Sequence, residues 1–250
     1  MSVKRVAIVT GASRGIGAAT ARLVAKAGYS VCVNYLGNRA AAEKVVSEIR
    51  ASGGEAIATQ ADVAVEADVL RLFRECDSAL GKISALVNNA GILEHHMRLE
   101  AMDVERLKRV FNANIVGSFL CAREAVKRMS TRHGGQGGAI VNVGSAASRL
   151  GAPEEYIDYA ASKGAIDTMT IGLAKEVATE GIRVNCVRPG PIHTDIHASG
   201  GEPNRIERIK GAVPMKRGGN PEEVAKAIVW LLSDEASYTT GALLDVAGGR

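Results

Sequence analysis

With 250 residues, 46% hydrophobic and 23% charged, the chain has the composition of one soluble globular domain with a substantial core. Its net charge of +4 is small and dispersed, and no Lys/Arg run marks a nucleic-acid or membrane surface. Cys32, Cys76, Cys121 and Cys186 are too widely spaced for a metal or redox pair and read as free buried thiols in a reducing, cytoplasmic setting.

The first five residues, Met1-Ser2-Val3-Lys4-Arg5, lead into an apolar run that ends at Gly11, too short for a membrane span and without the h-region or cleavage site of a signal peptide. Short apolar runs at 6–9, 31–33, 56–58, 85–87, 140–143, 184–187 and 243–246 then predict seven strands. Several are apolar on successive residues, as parallel strands covered on both faces require. Between them, helical patterns span 15–27, 40–51, 66–80, 103–131, 159–179 and 221–232. Gly28, Gly53, Gly81 and Gly181 fall where helices should stop, and Asn220-Pro221-Glu222-Glu223 reads as a helix start with proline in the first position. This alternation predicts a single α/β domain over residues 1–250, a doubly wound Rossmann fold with seven parallel strands and helices on both faces. The glycine tract at 134–138 is a loop before the fifth strand, and residues 193–213 read as a substrate lid.

The first strand runs into Thr10-Gly11-Ala12-Ser13-Arg14-Gly15-Ile16-Gly17, which opens directly into a helix. Glycines let the backbone approach a pyrophosphate, and a helix N-terminus offers free N–H groups and a positive dipole end. Farther along, Tyr159 is followed four residues later by Lys163, one helical turn away on the same face. A phenol has an ordinary pKa of about 10. An ammonium about 4 Å from its oxygen would favour phenolate by about 4 kcal/mol at an effective dielectric of about 20, roughly three pKa units before burial acts in the opposite direction. The pair is therefore expected to tune Tyr159 as a general acid–base.

The spacing Gly11-x-x-x-Gly15-x-Gly17 differs from the common Gly-x-Gly-x-x-Gly dinucleotide fingerprint. It resembles the loop of the short-chain dehydrogenase/reductase family, especially the 3-oxoacyl-carrier-protein reductase and glucose dehydrogenase branches. Four further motifs follow in family order: Asn88-Asn89-Ala90-Gly91, Asn114, Ser145 with Tyr159 and Lys163, and Pro189-Gly190-Pro191-Ile192-His193-Thr194. The resemblance implies an NAD(P)-dependent oxidoreductase that moves hydride between nicotinamide and a carbonyl or secondary alcohol. Tyr159 would be the acid–base, Ser145 would hold the substrate oxygen, and Asn114 would hold a water linking Lys163 to solvent. Lys163 would also bind the nicotinamide ribose beside Tyr159. The family's cofactor contacts fall here on Gly11, Ser13, Gly15, Ile16 and Gly17, on Asp62 and Val63 near the adenine, and on Asn89, Ala90 and Gly91. At the nicotinamide end, Pro189, Gly190, Ile192 and Thr194 would close over the ring. A homotetramer joined through the long central helices and the last strand is the family's usual assembly.

Several residues compete for these roles. Tyr156 has Ala160 at its i+4 position, so it cannot form the same pair and reads as a pocket or packing residue. Ser148 reads as a local backbone partner rather than the serine of the site. The Ser145–Tyr159 interval is one residue longer than in commoner members, and the extra residue is expected in the intervening loop. Asn112 lies on a face nearly opposite Asn114 on a regular helix. His95 and His96 lack a third ligand, so no metal site is expected.

The cofactor choice rests on charge. NAD selection needs an acidic group at the end of the second strand, where this chain has Val33-Asn34-Tyr35. Arg14 within the loop and Arg39 just beyond that strand suit the 2′-phosphate of NADP, so NADP is the expected cofactor, with Asn34 near the ribose and NAD as the alternative. Three other readings stand beside this one: an NAD-dependent sugar or polyol dehydrogenase, a non-catalytic dinucleotide sensor, and an extended epimerase or dehydratase. The sensor conflicts with the full Asn114-Ser145-Tyr159-Lys163 set, and the epimerase with the absence of a C-terminal substrate domain.

Overall fold

The structure, a computed structural model, describes residues 4–250; the first three residues of the Met1–Arg5 stretch lie outside it. Strands β1 (Arg5–Val9), β2 (Tyr29–Tyr35), β3 (Ala56–Gln60), β4 (Ala85–Asn88), β5 (Gly138–Val143), β6 (Ile182–Pro189) and β7 (Leu243–Val246) form one sheet in the order β3-β2-β1-β4-β5-β6-β7. Every adjacent pair is parallel. Chain order reverses beside β1, which pairs with β2 on one side and β4 on the other. In such sheets the crevice outside the strands' carboxyl ends at this switch point is where ligands bind.

Successive strand residues pack on opposite faces. Ala7 and Val9 join the core beneath α1 (Gly15–Lys26), α2 (Arg39–Ala51) and the later α10 (Pro221–Leu232), whereas Val6 and Ile8 face the cluster that includes Leu72, Phe73, Cys121 and Met129. That second layer holds α3 (Glu66–Ala79), α4 (Val104–Phe111), α5 (Gly117–Met129) and, after the four-residue α6 (Ala147–Leu150), the long α7 (Ile157–Val177). All seven residues of β2 are buried, Ser30 and Asn34 included, as in a strand covered on both faces. Gly28, Gly53, Gly81 and Gly181 all take positive φ at helix ends. At α10, the Glu223 carboxylate accepts the Asn220 N–H at 2.8 Å, so this helix starts as its sequence predicts. Among the described residues, no helix is long and apolar enough to cross a membrane.

One element departs from expectation. The helix predicted over 103–131 is broken by a π turn at Asn112–Val116 between α4 and α5. The turn is wedged by its surroundings. Asn114 exchanges hydrogen bonds with the backbone of Ile92, accepting from its N–H at 2.8 Å and donating to its carbonyl at 3.1 Å. Gly117 sits so close to the segment after β3 that an added Cβ would fall 2.7 Å from Val63 Cγ2. A wider turn lets Asn114 reach Ile92 while α5 stays packed against that segment.

The start of α7 is held by a buried ion pair. Arg106 of α4 donates to Asp158 through Nε at 2.7 Å, with side-chain exposures of 4% and 1%, and also to the His95 carbonyl at 2.5 Å. The Asp158 carboxylate in turn accepts the Tyr159 backbone N–H at 2.9 Å. Removing one member of such a pair leaves the other charge desolvated without compensation. Asp158→Asn is therefore expected to lower unfolding free energy by about 3 kcal/mol in urea titrations, and a loss below about 1 kcal/mol would show the pair to be energetically idle.

Candidate active site

The chain leaves β1 through Thr10 and turns at Gly11, whose φ of +59° favours glycine. Side chains are excluded by contact as well as by torsion. A Cβ on Gly17 would lie 2.4 Å from the Gly11 carbonyl oxygen and 2.5 Å from the Asn89 amide nitrogen. Asn89, just past β4, donates to the carbonyls of Thr10 and Gly11 at 2.8 and 3.0 Å. The Thr10 hydroxyl accepts the N–H groups of Asn89 and Ala90 at 3.0 and 2.9 Å. Thr10 is thus a clamp that sequence reading passed over, although it sits at the head of the loop motif.

Asn34 completes this clamp. Its side-chain oxygen accepts the Gly11 N–H at 3.1 Å, and its amide donates to the Ala61 carbonyl at 3.1 Å. It lines the cleft, but its polar atoms are spent on holding the loop to the ends of β2 and β3. Where NAD selection would need an acidic group, this chain has a neutral structural amide.

Helix α1 begins with Arg14 as its N-cap residue, and no side chain caps its first turn, whereas α2 is capped by Asn38. Its first N–H groups therefore open onto the cleft formed by Gly11, Ser13, Arg14, Gly15, Ile16 and Gly17 on one side. Asp62, Val63, Asn89, Ala90, Gly91 and Thr194 close the other. This cradle of glycines and uncapped helix N–H groups fits a dinucleotide pyrophosphate. Arg14 lies in the cleft and donates to Ser199 Oγ at 3.4 Å, while Arg39 faces Glu43 at 3.7 Å and lies outside the cleft lining.

A second cavity adjoins the first at Ile16, Asn89, Gly91, Thr194 and Ile196. It is lined by Ser145, Tyr156, Tyr159 and Lys163, and by Pro189, Gly190 and Ile192 beyond β6. Tyr159 and Lys163 share one face of α7, and the lysine Nζ sits 5.6 Å from the centre of the tyrosine ring. Ser145 follows β5 and faces the cavity. Its neighbour Ser148 donates to the Ser145 carbonyl at 2.9 Å, the local role expected of it. In the loop before α7, Ala152 and Glu154 both take positive φ. Asn114 is wholly buried, donating to Ser162 Oγ at 3.0 Å, and Asn112 is exposed. A Cβ on Gly91 would lie 3.1 Å from Asn114 Oδ1 and 3.6 Å from Lys163 Nζ, so these two side chains converge on one point.

The electrostatics correct the sequence expectation. Burial pushes the Tyr159 phenol above its ordinary value, with hydrogen bonding to Ser145 and the charge of Arg205 acting in the opposite direction. Lys163 does not act on it as expected. Burial lowers the lysine itself to about 8, and its Nζ donates to the Val143 carbonyl at 2.7 Å. The ammonium stands over the ring face and spends its hydrogen bond on the backbone rather than on the phenol oxygen.

His95 and His96 are exposed and lie outside the Tyr159 cavity. The 193–213 segment contributes to it through His197 of α8 (Ile196–Ser199) and Arg205 of α9 (Arg205–Ile209). His197 carries no motif that could have singled it out. Arg205 stands near two other cations, Arg208 and Lys210, and nothing in the sequence sets it apart from them.

Comparison with known proteins agrees with this geometry. A family model described as enoyl-(acyl carrier protein) reductase matches residues 11–250. An uncharacterized oxidoreductase of Escherichia coli (strain K12), YgfF, is 59% identical over 98% of this chain and 99% of its own length. A 3-oxoacyl-[acyl-carrier-protein] reductase of Synechocystis is 42% identical over 98% of this chain and 96% of that protein. The crystal structure of a dehydrogenase/reductase from Sinorhizobium meliloti 1021 superposes with a TM-score of 0.90 at 35% identity, covering 99% of this chain and 96% of that one. The chain belongs to the short-chain dehydrogenase/reductase family. It is an oxidoreductase acting on CH–OH and C=O groups, and the family implies NAD or NADP as hydride carrier.

The lysine's environment has a measurable consequence. Because its folded pKa of about 8 lies below its ordinary value, the unfolded chain binds more protons in the interval between them. Stability therefore rises with pH from about 8 to about 10.5. Lys163→Met, which cannot titrate, is expected to lose ground to wild type by about 3 kcal/mol across that interval in parallel denaturant titrations, and a constant difference would place the lysine in solvent-like surroundings.

Proposed function

We propose that this chain is an NADP(H)-dependent carbonyl reductase in which Tyr159 is the general acid. The observation that carries the reading is the convergence of Tyr159, Ser145 and Lys163 on one cavity continuous with the glycine-loop cleft. A bound dinucleotide would be held by the loop and α1 at its pyrophosphate and by Pro189, Gly190, Ile192 and Thr194 at its nicotinamide end, where the reduced form supplies a hydride. As the substrate carbon accepts that hydride, Tyr159 Oη gives its proton to the carbonyl oxygen, and a C=O becomes CH–OH. Ser145 Oγ hydrogen-bonds the same oxygen and fixes its position against the phenol. Lys163, braced by Val143, would hold the nicotinamide ribose, and Asn114 would link it towards solvent for reprotonation of the tyrosine.

Burial keeps the Tyr159 phenol protonated at neutral pH, the form that reduction uses. Oxidation of an alcohol needs phenolate and should quicken as pH rises. Similarity to a 3-oxoacyl-[acyl-carrier-protein] reductase supports the same direction. For NADP, Arg14 in the cleft and the lack of a carboxylate at the end of β2 favour the 2′-phosphate. Arg39 faces Glu43, and this favours the alternative, an NAD-dependent sugar or polyol dehydrogenase.

A homotetramer in the cytoplasm completes the reading. Val116, Phe119 and Ile171 are exposed apolar side chains on or beside the long helices α5 and α7, where contact with other subunits would cover them. All four cysteines are free and buried, as a reducing compartment allows.

Steady-state assays on a carbonyl panel test the chemistry. Wild type should show at least tenfold higher kcat/KM with NADPH than with NADH, and Tyr159→Phe should lose at least a thousandfold in kcat while still binding NADPH. Near-normal turnover by the variant would remove Tyr159 from the mechanism, and a preference for NADH would overturn the cofactor assignment. Light scattering at micromolar protein should give four times the 26.1 kDa chain mass, and a monomer would contradict the assembly.

A further inference from the structure

Gly144 stands between Val143, whose carbonyl accepts from Lys163, and Ser145 at the cavity. Its N–H donates to the Val187 carbonyl of β6 at 2.8 Å. A Cβ on Gly144 would meet three side chains at once: Cys186 Sγ at 2.7 Å, Arg188 Cγ at 3.1 Å and Asp167 Oδ1 at 3.2 Å. The Asp167 carboxylate therefore packs against the turn that carries Ser145. Asp167 is also one helical turn beyond Lys163 on α7, as Lys163 is one turn beyond Tyr159, so each pair shares a face.

The carboxylate is held from β6. Cys186 Sγ donates to Asp167 Oδ1 at 3.7 Å, and Arg188 Nη1 donates to Oδ2 at 3.5 Å. Arg188 has a closer partner in Asp245 of β7, bound through Nε at 2.7 Å and Nη2 at 3.3 Å, so Asp167 receives only part of its charge. Lys163 is the complementary case. It is 5% exposed, and its hydrogen bond to Val143 reaches a dipole rather than a charge.

The titratable and charged groups around Lys163 come from three elements. Helix α7 gives Tyr159 and Asp167, β6 gives Cys186 with Arg188 behind Asp167, and the 193–213 segment brings His197 and Arg205 to the same cavity. The π turn gives only the neutral Asn114, and Asp158 is committed to Arg106. Burial lowers Lys163 to about 8, with Cys186 and Asp167 acting in the opposite direction. Burial and the Asp167 charge push the Cys186 thiol itself up to about 12. The thiol is therefore uncharged at neutral pH, and Asp167 is the anion that remains.

We propose that Asp167 is a positioning residue of this site: clamped by Cys186 and Arg188 against Gly144, its carboxylate is the counter-charge that keeps the Lys163 ammonium charged for its hold on the nicotinamide ribose. This rests on Lys163 acting beside Tyr159 in carbonyl reduction. An ordinary tie between α7 and β6 would make Asp167 and Arg188 equivalent. A counter-charge makes them opposites, because Asp167 favours the ammonium and Arg188, by neutralising Asp167, disfavours it.

The test follows the Cε resonance of Lys163 by NMR, without cofactor, in protein grown on carbon-13-labelled lysine, with Lys163→Met identifying the signal. The titration midpoint is compared among wild type, Asp167→Asn and Arg188→Gln, beside the pH profile of kcat/KM for NADPH in carbonyl reduction. Asp167→Asn should lower the midpoint by about one pH unit and carry the alkaline limb of the profile down with it, whereas Arg188→Gln should raise both. An unmoved midpoint in Asp167→Asn, or shifts of the same sign in both variants, overturns the proposal. So does a midpoint that moves while the limb stays in place. Thermal melts identify a variant that fails to fold, and the sign of the shift in the other then decides. Absence of carbonyl reduction by wild type counts instead against the Tyr159 reading, while the midpoints still decide whether Asp167 is the counter-charge.

Discussion

The site is organised around an ammonium withdrawn from water. Lys163 reaches from α7 to the last carbonyl of β5, and that one hydrogen bond sets the helix against the carboxyl end of the sheet. Val143 is two residues before Ser145, so the lysine's anchor also fixes the distance between the serine and the tyrosine one turn upstream. Close approach is possible because Gly144 has no side chain; a Cβ there would lie 2.7 Å from Cys186 Sγ on β6. Desolvation works on both members of the Tyr159–Lys163 pair, raising the phenol and lowering the ammonium. Each group is thereby drawn towards its neutral form at moderately alkaline pH, where small additional fields can move a proton.

The surroundings of that pair are polar, buried and almost fully satisfied. Asn88 donates to Asn142 at 3.0 Å, and Asn142 donates to Thr170 of α7 at 2.9 Å, which carries a hydrogen-bonded ladder across β4, β5 and the helix. The Asn114 turn meets the loop after β4 in the same way. Such networks are costly when incomplete and rigid when complete. Against this background the unpaired buried atoms His197 Nδ1 and Arg205 Nε stand out by contrast rather than by number. They lie on the 193–213 segment, outside the sheet and its hydrogen-bonded ladder.

Much of this was legible in the sequence because it depends on local rules. The Gly11–Gly17 loop is readable since positive φ and close approach demand glycine at fixed spacing, and Tyr159 with Lys163 is readable since helical period alone brings them together. Ser145 and Ser148 were separable because a serine near a helix start has an ordinary local use. The π turn was hidden, because nothing in Asn112–Val116 disfavours a regular helix; the wedge comes from Ile92 and Val63, distant in the chain. The reach of Lys163 was likewise misjudged. Spacing placed it near the phenol, but only the tertiary structure shows that its hydrogen bond goes to Val143. Arg39, at the start of a helix, has Glu43 one turn away as a partner, a local pairing that the charge argument for the cofactor leaves out.

The lid joins the two halves of the site mechanically as well as chemically. Arg14 of the glycine loop donates to Ser199, and the Tyr156 hydroxyl donates to the Gly200 carbonyl at 3.4 Å. Arg205 and Arg208 bind Glu155, whose carbonyl also accepts the Met97 N–H at 2.9 Å. A group that occupies Arg14 at the cleft therefore competes directly with a lid contact, while the Glu155 anchor on the other side is untouched. The segment is thus held by ion pairs to Glu155 and by two long hydrogen bonds, from Arg14 and from Tyr156.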